Sequence, residues 1–184
     1  FDRALTLESR KMTHLVTTPQ AKNMMRAFFF QLNEVNNGGS RPDISERFSV
    51  KKVGVLGAGM MGQGIAYVAA KAGIDVVLKD ISQESAEKGK AYSAKLLDKQ
   101  IKKGRATEAS KQALLDKILA TENADDLQGC DLIVEAVFED MQLKHQLTED
   151  LESKLADNGV WGSNTSSLPI TQLAEASNKP DNFI

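Results

Sequence analysis

The stretch from Val53 to Asp80 constrains this chain more than any other. It opens with a short apolar run, Val53-Gly54-Val55-Leu56, of the kind found in a strand buried on both faces. Gly57-Ala58-Gly59-Met60-Met61-Gly62 follows at once. A helical pattern comes next, with Met61, Ile65, Val68, Ala69 and Ala72 on one face and Gly73 at its end. A second apolar run, Ile74 to Leu78, finishes in Lys79-Asp80. The order is strand, glycine turn, helix, strand, acid.

Each glycine in that turn has a physical task. Gly57 permits the sharp exit from the strand. Gly59 carries no Cβ, so a pyrophosphate can approach the backbone. Gly62 lets the helix pack tightly on the sheet. The first helical N–H groups then face the phosphates, where the helix dipole favours negative charge. Asp80 ends the second strand at the place where a carboxylate accepts the ribose hydroxyls of an adenosine. The same carboxylate repels a 2′-phosphate, which favours NAD over NADP. A glycine turn alone is a weak signal, and some such turns bind nothing. Here the strand, the helix and the acid stand together, so dinucleotide binding is expected, with FAD a minor competitor because it uses the same fingerprint.

The rest of the chain supports a parallel sheet covered on both sides. After Asp80, Ser82 is placed to cap a helix that carries Tyr92, Leu96, Leu97 and Ile101 on one face and ends at Gly104. Thr107-Glu108 starts another helix, and Ile118 to Thr121 is a candidate short strand. Asp131 to Val137 reads as a buried strand. Asp140 caps a helix with Leu143, Leu147, Leu151 and Leu155 four apart. Gly159 to Ser163 reads as the next strand, and Leu168 to Ala176 as a short helix. Strands alternating with helices predict an α/β fold with a doubly wound parallel sheet of the Rossmann type. Residues 49–184 are assigned to it.

Two helices precede that domain. The first spans Arg3 to about Leu15, and the second carries Ala21, Met25, Phe28, Phe29 and Leu32 on one face. Thr18 caps the second, with Pro19 at its first position. Its Met and Phe stripe fits core packing or docking against a neighbour better than a cofactor contact. Asn36 to Ser49, with Gly-Gly, Ser-Arg-Pro and mixed charge, reads as a linker, so residues 1–48 form a helical linker segment.

Composition narrows the function classes. With 41% hydrophobic and 26% charged residues, the 184-residue chain can build an ordinary core. A net charge of −2 gives no field to attract nucleic acid or an anionic membrane. No run approaches the roughly 18 apolar residues of a membrane helix. Lys102, Lys103 and Arg105 read as a solvated helix end. The single cysteine, Cys130, excludes an internal disulfide and reads as a small residue leading into a strand. No Cys, His and carboxylate spacing suggests a metal. His14 and His145, the two histidines, make poor general bases, and His145 is expected to face solvent from its helix. The chain begins at Phe1 and stops at Ile184 with no closing element, so it is expected to be a piece of a longer protein.

On a sheet of this type ligands lie beyond the carboxyl ends of the strands. Three places meet that condition: the glycine turn with Asp80, the stretch Ala136 to Asp140, and Ser163 to Ser167. The last can offer hydroxyls and amides to a substrate oxygen, or can simply cap the next helix; spacing alone supports both equally.

Three segments taken together, VGVLGAGMMGQGIA at 53–66, DLIVEAVFED at 131–140 and GSNTSSLPI at 162–170, resemble the NAD-binding domain of L-3-hydroxyacyl-CoA dehydrogenases. The helices, with RALTLES at 3–9 and MMRAFFF at 24–30, resemble more loosely the linker after the hydratase domain in multifunctional fatty-acid oxidation enzymes of the alpha-subunit type. The resemblance implies oxidation of an L-3-hydroxyacyl-CoA to the 3-ketoacyl-CoA, with hydride passing to NAD, in fatty-acid β-oxidation. It implies cofactor contacts at Gly57, Gly59, Met61, Gly62 and Asp80, at Val137, Phe138 and Glu139, and at Lys144, which is otherwise an ordinary surface lysine. Ser166 matches the serine that hydrogen-bonds the substrate's 3-oxygen beside the nicotinamide. It also implies a thiolase partner and a bacterial-type cytoplasmic setting, with mitochondria and peroxisomes left open.

The departure from the family lies at the chain's end. The family's general base is a histidine in a His-Phe-Phe-x-Pro run, and the chain stops at Phe183-Ile184, just short of it. The helical domain that closes over the acyl chain is also missing. The expectation is therefore a cofactor-binding half that is catalytically silent by itself. Two alternatives are carried: a single-function 3-hydroxybutyryl-CoA or related 3-hydroxyacid dehydrogenase, and a non-catalytic nucleotide-binding protein.

Overall fold

The computed structural model describes residues 1–39 and 48–184. The chain divides into two units, Phe1–Arg47 and Phe48–Ile184. Most of the expected linker, Asn36 to Ser49, lies outside the described residues.

The first unit is helical. Helix α1 spans Asp2–Thr17 and α2 spans Pro19–Met25. The expected cap between them is present: Thr18 Oγ1 accepts from the Ala21 amide at 3.2 Å, and Pro19 follows it. A π-helical turn at Arg26–Gln31 then leads into α3, Leu32–Asn36. That turn was not expected. It contains Phe28, Phe29 and Phe30, and the rings of Phe29 and Phe30 meet edge to face at 5.3 Å. No residue of these helices is buried, so the Met and Phe stripe is not a core.

The second unit is a five-stranded, wholly parallel sheet. Its elements are β1 (Lys52–Leu56), α4 (Met60–Lys71), β2 (Asp75–Lys79), α5 (Gln83–Lys102), α6 (Glu108–Asp116), β3 (Ile118–Thr121), β4 (Cys130–Glu135), α7 (Met141–Leu151), β5 (Leu155–Ser163) and α8 (Ile170–Leu173). The strand order is β3-β2-β1-β4-β5, with Val53 opposite both Val76 and Leu132. This is the doubly wound arrangement foreseen above. The strand order reverses between β1 and β4, where a crevice opens above their carboxyl ends.

Alternate residues of each inner strand feed opposite faces. Val53 and Val55 of β1, with Val76 and Leu78 of β2, pack against Ala66 and Ala70 of α4 and against Ile118. Leu56 and Val77 point the other way, into a cluster with Ile133, Leu151, Trp161 and Leu173. Both faces are apolar because both are covered. Burying each large side chain of this kind contributes roughly 1.5–3 kcal/mol.

Three details differ from expectation. The buried face of α4 carries Gly62, Ala66 and Ala70, while Met61 and Val68 stay exposed. A helix this close to a sheet presents its smallest side chains, and hydropathy alone misses that choice. Leu155 does not continue α7; it opens β5, which is longer than Gly159 to Ser163. Strand β4 ends at Glu135, not Val137: the Val137 amide donates to the Glu135 side chain instead of to a neighbouring strand. The caps, by contrast, are as read: Ser82, Thr107 and Asp140 accept from the amides of Ser85, Ser110 and Leu143. Beyond β5, Phe183 makes a parallel bridge with Trp161, and Glu152 holds that segment through Ser177 and the Asn178 amide.

The tightest packing is at the start of α4. A Cβ built on Gly62 would lie 1.7 Å from the carbonyl oxygen of Gly57. Both atoms belong to the same turn, so neither can move away. Gly62→Ala is therefore expected to cost at least the ~1–3 kcal/mol of an ordinary overpacked core. Urea unfolding of the two proteins checks this.

Candidate functional site

The crevice above β1 and β4 is a cleft of about 430 Å³. Its floor is the glycine turn. Gly57 has φ +91°, a conformation that L side chains rarely adopt, and its amide donates to Lys79 O at 2.8 Å. The turn thereby continues the β1–β2 pairing by one more bond.

Helix α4 begins here without a side-chain cap. The other long helices of this unit, α5, α6 and α7, are each capped by a Ser, Thr or Asp side chain. An uncapped helix start leaves amide donors and a positive dipole end unanswered by protein, at the mouth of a cleft. Nothing lies within 4 Å of a Cβ built on Gly59, so the space beside that residue is open.

Asp80 lines the same cleft. Its Oδ2 accepts from the Ala58 amide at 2.6 Å and its Oδ1 from the Ile81 amide at 2.7 Å. These bonds fix the carboxylate beside the glycine turn and still leave a lone pair on each oxygen for a ligand hydroxyl. The walls are apolar: Met61, Ile81, Val137 and Phe138, with Leu143 and Leu147 from α7. Ile81 and Phe138, 92% and 86% exposed, stand open at the mouth of the cleft.

The residues singled out from sequence thus separate into two sets. Gly57, Gly59, Met61, Asp80, Val137 and Phe138 line the cleft. Gly62 lies beneath it, against the Gly57 backbone. Glu139, Lys144 and Ser166 do not line it and belong to a polar network at the ends of β4 and β5. Lys144 is not a surface residue: only 1% of its side chain is exposed, and Nζ donates to both oxygens of Glu135 at 2.8 Å. The Nζ also lies 3.6 Å from Glu139. Glu139 Oε1 accepts from Thr165 Oγ1 at 2.6 Å, from the Ser166 and Ser167 amides at 2.8 and 3.0 Å, and from Ser167 Oγ. Those bonds, that from Thr165 foremost, hold its carboxyl down to about 2. Thr165 Oγ1 also accepts from the Leu168 amide, so the loop both turns into α8 and answers a carboxylate.

Ser166 is exposed, and its hydroxyl has no hydrogen-bond partner among the described residues, whereas Ser163, Thr165 and Ser167 all spend theirs on carboxylates. Sequence reasoning missed Glu135, a carboxylate 1% exposed at the end of an apolar strand. Its signal was present: an acid closing the run Leu132-Ile133-Val134 needs a buried partner. His145 is half-buried instead of solvent-facing, and its Nε2–H donates to Gln172 O at 2.9 Å. Cys130 begins β4, and burial pushes its thiol up to about 11, away from the thiolate form. Among the described residues no cluster of three metal-ligating side chains occurs, and no helix is long and apolar enough to cross a membrane.

Residues 52–184 match the family described as 3-hydroxyacyl-CoA dehydrogenase, NAD binding domain. The whole chain is 39% identical to the fatty acid oxidation complex subunit alpha of Shewanella baltica and 36% identical to that of Shewanella oneidensis. It spans only 26% of the length of each. Among solved structures, the (S)-3-hydroxybutyryl-CoA dehydrogenase of Ralstonia eutropha superposes with a TM-score of 0.70 at 40% identity, over 73% of this chain and 48% of that one. The dehydrogenase part of multifunctional enzyme 1 from C. elegans gives 0.65 at 28% identity, over 75% and 31%.

The open space at Gly59 separates binding from folding. Gly59→Ala is expected to leave the unfolding midpoint unchanged, because its backbone angles suit an L residue and its Cβ meets nothing. The same methyl would occupy the approach to the α4 amides, so NAD affinity is expected to fall at least tenfold. Thermal unfolding and titration calorimetry on the one variant check both halves.

Proposed function

The chain belongs to the family of 3-hydroxyacyl-CoA dehydrogenase NAD-binding domains, and from that premise we propose that it is the cofactor-holding part of an enzyme oxidising L-3-hydroxyacyl-CoA to 3-ketoacyl-CoA in fatty-acid β-oxidation. The observation that carries this reading is the uncapped start of α4, opening into a cleft that Asp80 also lines. NAD fits these residues. The amides after Gly59 would hold its diphosphate, and Asp80 would accept the adenosine ribose hydroxyls. Val137 and Phe138 would cover its apolar faces. When bound, NAD supplies the hydride acceptor. The protein's part is to bind, to orient and to exclude water.

Ser166 is the residue proposed to meet the substrate. Glu139 takes its amide but leaves its hydroxyl uncommitted, and that hydroxyl can donate to the oxygen at carbon 3. Met61, Glu139 and Lys144 are proposed as further cofactor-side residues, the last two acting from behind the cleft wall. None of the described residues lining the cleft is a histidine, and His145 is engaged with Gln172. The residues present therefore hold and align the reactants, and proton removal from the hydroxyl is left without a base. A positioned base is worth roughly 10²–10⁴ in rate.

The first unit is proposed as the linker between this domain and a hydratase domain, the complex's thiolase as a partner, and the cytoplasm as the setting. A single-function 3-hydroxybutyryl-CoA or related 3-hydroxyacid dehydrogenase is the second reading, favoured by the 40% identity to the Ralstonia enzyme. The alpha-subunit relatives match the entire chain, helices included, whereas the solved dehydrogenases match about three quarters of it. That difference favours the multifunctional enzyme.

Two measurements test the proposal. Asp80→Ala is expected to weaken NAD binding by about 1–3 kcal/mol, the scale of a polar contact left unpaired; unchanged affinity by calorimetry removes Asp80 from the site. The chain alone is expected to show no turnover of acetoacetyl-CoA with NADH above background, and turnover at an ordinary enzyme's rate would overthrow the assignment of roles.

A further inference from the structure

Behind the cleft wall, Glu135 gathers a set of contacts that the reading above does not use. Its Oε1 accepts from the Val137 amide at 2.8 Å and from Lys144 Nζ at 2.8 Å. Its Oε2 accepts from Lys144 Nζ at 2.8 Å and from Ser163 Oγ at 2.7 Å. Its backbone oxygen accepts from the Asn164 amide at 2.7 Å. Lys144 leans in turn toward Glu139, which holds Thr165, Ser166 and Ser167. One buried carboxylate is therefore bonded to the exits of both β4 and β5 and to α7 between them.

Stability alone does not account for this arrangement. Taking a carboxylate and an ammonium out of water costs about what their attraction returns, and an apolar pair of the same size often serves the fold as well. What the ion pair adds is direction: Val137 and Asn164 both line the cleft, the Val137 amide donates to the Glu135 carboxylate, and Ser163, just before Asn164, donates its hydroxyl to the same carboxylate. We infer that Glu135 is a positioning residue, which through Lys144 and Ser163 sets the β4 and β5 loops for the nicotinamide half of the dinucleotide. This rests on the NAD-binding reading, since it takes the adenosine half to lie at the glycine turn and Asp80. Glu135 touches no ligand itself. Its carboxylate adds side-chain ties between two loops that backbone pairing joins only at their roots.

The two halves of the dinucleotide provide the test. ADP, which engages only the glycine turn and Asp80, is titrated beside NADH into the full chain and into three variants. Glu135→Gln leaves Lys144 buried without its main partner and is expected to unfold at lower temperature. Glu135→Gln combined with Lys144→Met removes both charges and is expected to recover the unfolding temperature. Ser163→Ala removes one bond to Glu135 and buries no unpaired charge. NADH affinity is expected to fall at least tenfold in the double variant and several-fold in Ser163→Ala, with ADP affinity unchanged in both. NADH binding as in the unsubstituted chain by Ser163→Ala and by any double variant that folds overturns the inference, as does a parallel loss of ADP affinity. If the unsubstituted chain binds ADP and NADH equally, the positioning role fails while the glycine-turn site stands. If it binds neither, the NAD reading fails first and takes the inference with it.

Discussion

One contact governs the second unit: the backbone of Gly57 against the α-carbon of Gly62. It brings the first turn of α4 directly onto the end of β1. The helix can then cover the sheet with nothing larger than alanine, and Gly62, Ala66 and Ala70 form its buried face. The same turn places Gly59 at the N-cap, where there is no side chain to cap the helix, so its amides face the crevice unanswered. Packing and the open helix start therefore rest on neighbouring glycines of one turn, Gly62 and Gly59.

The opposite side of the crevice is organised by charge. Glu135 and Lys144 are both 1% exposed, a placement tolerated only because every oxygen and the ammonium have partners. Glu139 repeats the device nearer the surface, where its carboxyl is kept ionised by four bonds from one loop. The cleft thus has a rigid backbone floor on one side and a polar lattice on the other. Between them the apolar walls, Ile81 and Phe138 above all, remain exposed to whatever enters.

Much of this was legible because it is local. A cap needs a hydroxyl or carboxylate three residues before an amide, so Ser82, Thr107, Asp140 and Thr18 could be named from spacing. Strand, glycine turn, helix, strand and acid lie within one short stretch, and the crossover between parallel strands has a single favoured hand. The parallel order and the place of the crevice followed from those facts. So did the membership of Gly57, Gly59 and Asp80 in one site, since β1, α4 and β2 are consecutive.

What local pattern could not settle depended on partners far away in the chain. Leu155 keeps the four-residue spacing of α7 yet joins β5, because the sheet edge beside Cys130 claims its backbone. Lys144 looks like any lysine on a helix until Glu135, in another element, is brought beneath it. Which hydroxyl of Ser163 to Ser167 stays uncommitted was decided by two carboxylates from β4 and the loop after it. Chain-local hydrogen bonds and steric limits are written in neighbouring residues; the pairing of buried charges exists only once distant segments share a low-dielectric interior, and there the folded arrangement alone decides.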